Sequence, residues 1–158
     1  MKAAILTETN NGFFYNNYRG LGAHIIKRIF HDHGAQATVI DFSSFWEKKD
    51  LKHFLRTYFK DSDESVIGLS VPVRGPWDDG EGSIVGYLLE VSREIKAELP
   101  NVSILVGGIR VLNKEQLEEY KDIDGVFIGR ADEMLRDWIA KKDLSRFNRT
   151  EHKNVFTN

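Results

Sequence analysis

Residues 125–135 read Gly-Val-Phe-Ile-Gly-Arg-Ala-Asp-Glu-Met-Leu, written GVFIGRADEML. The first four residues make a continuous apolar run of strand length. From Ala131 onward the pattern is that of an amphipathic helix. Asp132 and Glu133 stand in its first turn, where carboxylates meet the positive end of the helix dipole. Gly129 and Ala131 occupy the turn, and small residues there let backbone approach a neighbour closely. A buried strand that feeds straight into a helix is the building unit of a parallel α/β sheet.

The same unit recurs upstream. Four further apolar runs lie at Ala3–Thr7, Ala37–Asp41, Val66–Val71 and Val102–Val106. They are continuous rather than alternating, as in strands covered on both faces. Helical periodicity fills the intervals. Leu21, Ile25, Ile26, Ile29 and Phe30 form one apolar stripe, and Gly34 follows as a C-terminal cap. Leu51, Phe54, Leu55, Tyr58 and Phe59 form a second stripe. Ile84, Leu88, Val91 and Ile95 form a third, which stops near Pro100. A short helix is expected from Asn113, with Gln116 completing a capping box, and a last helix from Ala131 to Lys142. Five strands alternating with helices predict a doubly wound parallel sheet of flavodoxin-like (Rossmann-like) order 2-1-3-4-5. This domain is expected over residues 1–142. Residues 143–158, DLSRFNRTEHKNVFTN, show no stripe and are expected to be a polar tail or linker.

A chain of 158 residues suffices for one domain with its own core. A net charge of −2 suggests neither nucleic acid nor an anionic membrane as a partner. The apolar runs are too short to span a bilayer, and MKAAILTETN reads as a first strand rather than a signal peptide. A cytoplasmic location is expected. There are no cysteines, so this chain supplies no disulfide, thiolate nucleophile or cysteine-ligated iron–sulfur cluster.

Ligands of open parallel sheets bind beyond the C-terminal ends of the strands. The first loop expected at that edge, Glu8–Gly20, holds four asparagines and the aromatics Phe13, Phe14, Tyr15 and Tyr18. The third, Ser70–Gly82, is stiffened by two prolines and carries Arg74 and Trp77. The fourth strand ends in Val106-Gly-Gly-Ile-Arg110, and its paired glycines leave a gap where side chains would stand. His31 and His33 flank Asp32 at a helix end, where the dipole favours them as cations. No zinc-type ligand pattern and no nucleophile–base pair stands out. A phosphoacceptor receiver domain would need an aspartate after the third strand and a lysine after the fifth; Ser70 and Gly129 stand there instead.

Taken in order, GLGAHIIKRIFHDHGAQATVIDF, VIGLSVPV, ILVGGIR and VFIGRADEML resemble the cobalamin (vitamin B12)-binding domain at the N-terminus of radical S-adenosylmethionine enzymes. The resemblance covers about residues 1–142. It implies cobalamin as the cofactor, with Ser70, Val71, Gly107, Gly108, Gly129 and Ala131 along the cleft that takes the nucleotide tail. Tyr15 and Tyr18 would approach the lower face of the corrin. The histidine motif that ligates cobalt in many such domains is missing after the first strand, as it commonly is in the radical-enzyme subgroup. Arg130 and Ala131 depart from the family's Gly-Glu-Gly-Glu turn.

With no cysteine for the cluster, no catalysis is expected from this chain alone. The resemblance then implies a detached N-terminal half or subunit whose partner is a separate radical S-adenosylmethionine chain. Two alternatives stand beside it. One is a non-catalytic interaction protein that has lost cobalamin and makes contacts through Arg74, Trp77 and the aromatic loop. The other is a flavin or nucleotide binder, although TETNNG lacks the hydroxyl density of a flavodoxin phosphate loop.

Overall fold

The computed structural model describes residues 1–7, 21–70, 84–109, 120–129, 131–141, 148–149 and 155–157. The strands are β1 (Lys2–Thr7), β2 (Gln36–Ile40), β3 (Ser65–Ser70), β4 (Val102–Ile109), β5 (Gly125–Ile128), β6 (Asn148–Arg149) and β7 (Val155–Thr157). The helices are α1 (Leu21–Asp32), α2 (Lys48–Phe59), α3 (Ile84–Glu98) and α4 (Ala131–Lys141). The helix expected from Asn113 lies outside the described residues.

Among the described residues, one sheet of order β2-β1-β3-β4-β5-β7-β6 contains all seven strands. Its first five members are parallel and have the expected doubly wound order. Two short pieces of the segment expected to be a polar tail or linker join the sheet. Val155–Thr157 adds to β5 as a sixth parallel strand, and Asn148–Arg149 pairs antiparallel to it at the edge. Val155 and Phe156 are buried, and the Phe156 ring lies 6.3 Å from that of Phe127. A three-residue strand is too short to show a period, which is why the polar residues around it dominate the sequence pattern. A second difference concerns β4, which runs on through Gly107 and Gly108 to Ile109 and shifts register against β5 between Val106 and Ile109.

Side chains alternate across the sheet and build two cores. Ala4, Leu6, Ile67, Leu69, Ile104 and Val106 pack under α2 and α3. Ala3, Ile5, Val66, Leu105 and Phe127 pack under α1 and α4. Gly34, at φ +75°, ends α1 as expected: Ala35 N–H donates back to Phe30 O at 3.0 Å. Ile25, expected in the buried stripe of α1, is instead 45% exposed. Among the described residues no helix is long and apolar enough to cross a membrane.

Outside the first core, α2 and α3 are clamped by charge. Lys48, Lys52 and Arg56 are spaced four apart on α2, and Glu90, Glu94 and Glu98 are spaced four apart on α3, so each row is one helix face. Lys48 meets Glu90 and Glu94, Lys52 meets Glu94 and Glu98, and Arg56 grips both carboxylate oxygens of Glu98. Arg93 holds Asp122 in the same forked way. Hydrogen bonds from the Arg56 guanidinium hold the Glu98 carboxyl down at about 2.

A carboxylate with a depressed folded-state pKa stabilises the fold above its unfolded value, about 4.3 for glutamate. That contribution is lost as pH falls from there toward about 2. Arg56→Ala should therefore lower the melting temperature at neutral pH, and the gap from the parent protein should close as pH falls toward 2. A gap that stays constant would show that the pair is not the source. Phe156→Ala tests the added strand. Removing a buried phenylalanine costs about 3–5 kcal/mol, measurable by urea unfolding, whereas a frayed end would give almost no change.

Candidate functional site

A pocket of about 270 Å³ lies between the sheet and the helix pair α1 and α4. It reaches from Val66 and Phe30 up to Ser70, Gly107, Gly129 and Asp132, where the strands end and α4 begins. It therefore sits at the edge where open parallel sheets place their ligands.

The pocket exists because side chains are missing from one face. Ile5, Gly68 and Leu105 are cross-strand neighbours, and so are Thr7, Ser70 and Gly107. A Cβ built on Gly68 would touch Ile5 Cγ1 at 3.5 Å. A Cβ on Gly107 would meet only Ala131 Cβ, at 3.8 Å, among the described atoms. A Cβ on Gly22, at the start of α1, would meet nothing within 4 Å. The walls are hydrocarbon from Ile25, Ile26, Phe30, Phe127 and Leu135. Ser70 and Asp132 are the polar side chains among the described lining residues.

The turn in GVFIGRADEML now has two separate explanations. Gly129 has φ +86°, a left-handed conformation that glycine adopts without strain. Ala131 stands opposite Gly107 and narrows the pocket there by one methyl group. Gly125, at the start of the stretch, has a third role. A Cβ on it would fall 3.0 Å from Leu105 Cδ2 and 3.4 Å from the Phe127 ring, so its small size lets those two side chains settle on the sheet.

Ser70, Gly107, Gly129 and Ala131, singled out from four separate places in the sequence, thus line one pocket. Gly108 lies in β4. Val71, Tyr15 and Tyr18 lie outside the described residues, as do Arg74, Trp77 and Arg130. Sequence reasoning passed over Gly22, Gly68, Phe30 and Phe127 as pocket residues. Gly68 left a signal, since a glycine inside the apolar run VIGLS marks a place where something approaches the strand closely. Ile25 is exposed because it forms part of the pocket wall rather than of the packed core.

The described histidines serve the scaffold or stand apart from the pocket. The His33 ring N–H donates to Ile29 O at 2.8 Å, and the His31 ring N–H to Ala37 O at 3.1 Å. These bonds satisfy carbonyls near the end of α1 and along β2. His24 Nε2 lies 3.3 Å from Asp41 Oδ2, while the buried Thr7 hydroxyl donates to Asp41 Oδ1 at 3.2 Å. This cluster ties the ends of β1 and β2 to α1. Among the described residues no group of three or more histidine and carboxylate side chains could hold a metal ion.

No protein-family model matches the chain, and the curated proteins contain no significant match to it.

The glycines at the pocket should separate strain from space. Gly129→Ala puts a side chain in a left-handed turn and should cost about 1–2 kcal/mol of stability in urea unfolding. Gly107→Ala brings its methyl only to van der Waals distance of Ala131 Cβ, at 3.8 Å, so its stability should stay within about 1 kcal/mol of the parent. The reverse order would contradict this description of the two positions.

Proposed function

We propose that this chain is a cobalamin-binding module without the lower-axial histidine motif. In this reading it acts as the detached N-terminal half, or subunit, of a cobalamin-dependent radical S-adenosylmethionine enzyme, whose iron–sulfur cluster is carried by another chain. The observation that carries the reading is the convergence of Ser70, Gly107, Gly129 and Ala131 on one pocket at the C-terminal edge of a doubly wound sheet.

The residues present fit such a cofactor in kind. Glycine at 68 and 107 keeps a slot open along the strands, and its hydrocarbon walls suit the apolar part of a nucleotide tail. The Ser70 hydroxyl would offer that tail one hydrogen bond. Ile25 and Ile26 would shed water against it. When bound, cobalamin supplies a cobalt centre able to carry a methyl group. The described lining residues would bind, orient and shield it.

Hydroxocobalamin mixed with the purified protein, followed by desalting, provides the test. Corrin absorbance should stay with the protein at close to one equivalent. Gly107→Ala should lower retention at least tenfold while the protein remains folded. Loss of all absorbance from the parent protein would sink the reading.

A second reading, a binding module for another protein, is favoured by a different observation. Phe45 and Trp46, just past the end of β2, are 64% and 38% exposed. A flavin or nucleotide binder has less support, because the described lining residues offer few polar side chains for phosphates or a polar ring.

A further inference from the structure

We infer that the open edge of β2 is a docking site for an extended segment of a partner protein, that the segment alternates acidic and apolar residues, and that it joins the sheet as an outer strand. β2 contributes no residue to the described pocket lining, so the inference stands whatever the pocket binds.

The two described edges of the sheet differ. One is β6, two residues long, and so short a strand is a poor template for pairing. The other is β2, whose sequence Gln-Ala-Thr-Val-Ile holds no charge, proline or glycine to blunt it. Among the described residues β2 is paired on one side only. The Gln36 amide donates to Met1 O, so Gln36, Thr38 and Ile40 turn their backbone groups toward β1. Ala37 and Val39 therefore turn theirs outward. The His31 ring N–H occupies Ala37 O at 3.1 Å and covers the lower half of the edge. The upper half is open: the N–H and C=O of half-buried Val39 face outward side by side, as a further strand requires.

The walls of the edge set what binds there. An added strand sends alternate side chains to the two faces of the sheet. On one face it meets α1. His24 and His31 reach Asp41 and Ala37 O, so the helix face that carries them lies along β2. Lys27 and Arg28 share that face, three or four residues from each histidine. The acids nearby are engaged, Asp41 with His24 and Asp32 with Arg136. Lys27 and Arg28 have no carboxylate partner among the described residues, so this wall is positive although the chain carries −2.

On the other face the strand meets aromatic rings. The Tyr58 hydroxyl donates to Gln36 O at 3.3 Å, which sets that ring against β2. Phe54 stacks on Tyr58 at 5.7 Å, and Trp46 meets Phe54 edge-on at 5.9 Å. The charge ladder holds α3 on the opposite flank of α2, so the open side of this row is the side beyond β2. Carboxylates on one face of the incoming strand and apolar side chains on the other match both walls at once. An antiparallel second copy of this chain would instead set Lys27 and Arg28 against their own counterparts across a two-fold axis.

The test uses three capped peptides of about eight residues, alternating glutamate with valine, lysine with valine, and glutamate with serine. Each is titrated into isotopically labelled protein and followed by NMR. The glutamate–valine peptide should give saturable shifts at the Val39 amide and the Trp46 indole and slow the exchange of the Val39 amide with water. Its dissociation constant should be at least tenfold below those of the other two. Lys27→Glu combined with Arg28→Glu should reverse the preference in favour of lysine–valine. Absence of saturable shifts at Val39 would overturn the inference, as would equal binding of the three peptides or a preference untouched by the charge reversal. Concentration-dependent protection of the Val39 amide in the protein alone would also overturn it, because a second copy would then hold the edge. If the doubly substituted protein does not fold, the ranking of the peptides on the parent protein still decides.

Discussion

Two-sided burial of a parallel sheet governs this molecule. Such a sheet has no wet face, so space inside it can come only from side chains that are missing. The cross-strand row Ile5, Gly68, Leu105, Gly125 shows how the space is made. Large and small residues alternate, and the large ones lean over their glycine neighbours: Leu105 over Gly125 and Ile5 over Gly68. The next row toward the strand ends, Thr7, Ser70, Gly107, becomes smaller and more polar. The pocket is the place where the sheet under α1 and α4 runs short of side chains, between Ile5, Leu105 and Phe127 below and the small residues at the strand ends above.

The opposite face is arranged differently. Under α2 and α3 the strands present Leu6, Ile67, Leu69, Ile104 and Val106, with Leu51, Leu55, Leu89 and Ile95 closing over them. The charge ladder runs along the outside of that helix pair. Each exposed pair alone contributes little, but a network of shared carboxylates with forked arginines constrains helix register as well as distance. Asp124 extends the pattern to the sheet, accepting the Ile104 amide at 2.7 Å while Lys96 binds the same carboxylate. One face holds the strands in register, and the other can afford the gap.

Much of this was legible in the sequence. The five long strands announced themselves as continuous apolar runs, and α2 as a stripe ending in Phe59. Gly34 announced the end of α1, and the doubly wound order followed from alternation. Ser70, Gly107, Gly129 and Ala131 were legible as small residues at strand ends. Their meeting in one pocket depends on register, which a linear pattern does not carry. Val155 and Phe156 were hidden because two apolar residues among polar ones have no period. Ile25 was assigned to the core because helical spacing says which face a residue is on, not whether the opposing sheet has side chains to meet it. The ladder went unread, because pairing the Lys48, Lys52 and Arg56 row with the Glu90, Glu94 and Glu98 row requires α2 and α3 to be neighbours.

The direction of the added strand has a practical consequence. Because β7 runs parallel to β5, Thr157 finishes beside Ile128, at the edge where the pocket opens. Lys2 begins beside Gln36 and Ser65, at the opposite edge. The two ends of the described chain therefore address different poles of the molecule. A tether fixed near Met1 would stand at the edge away from the pocket, while a fluorophore carried near Thr157 would stand at the pocket's own edge.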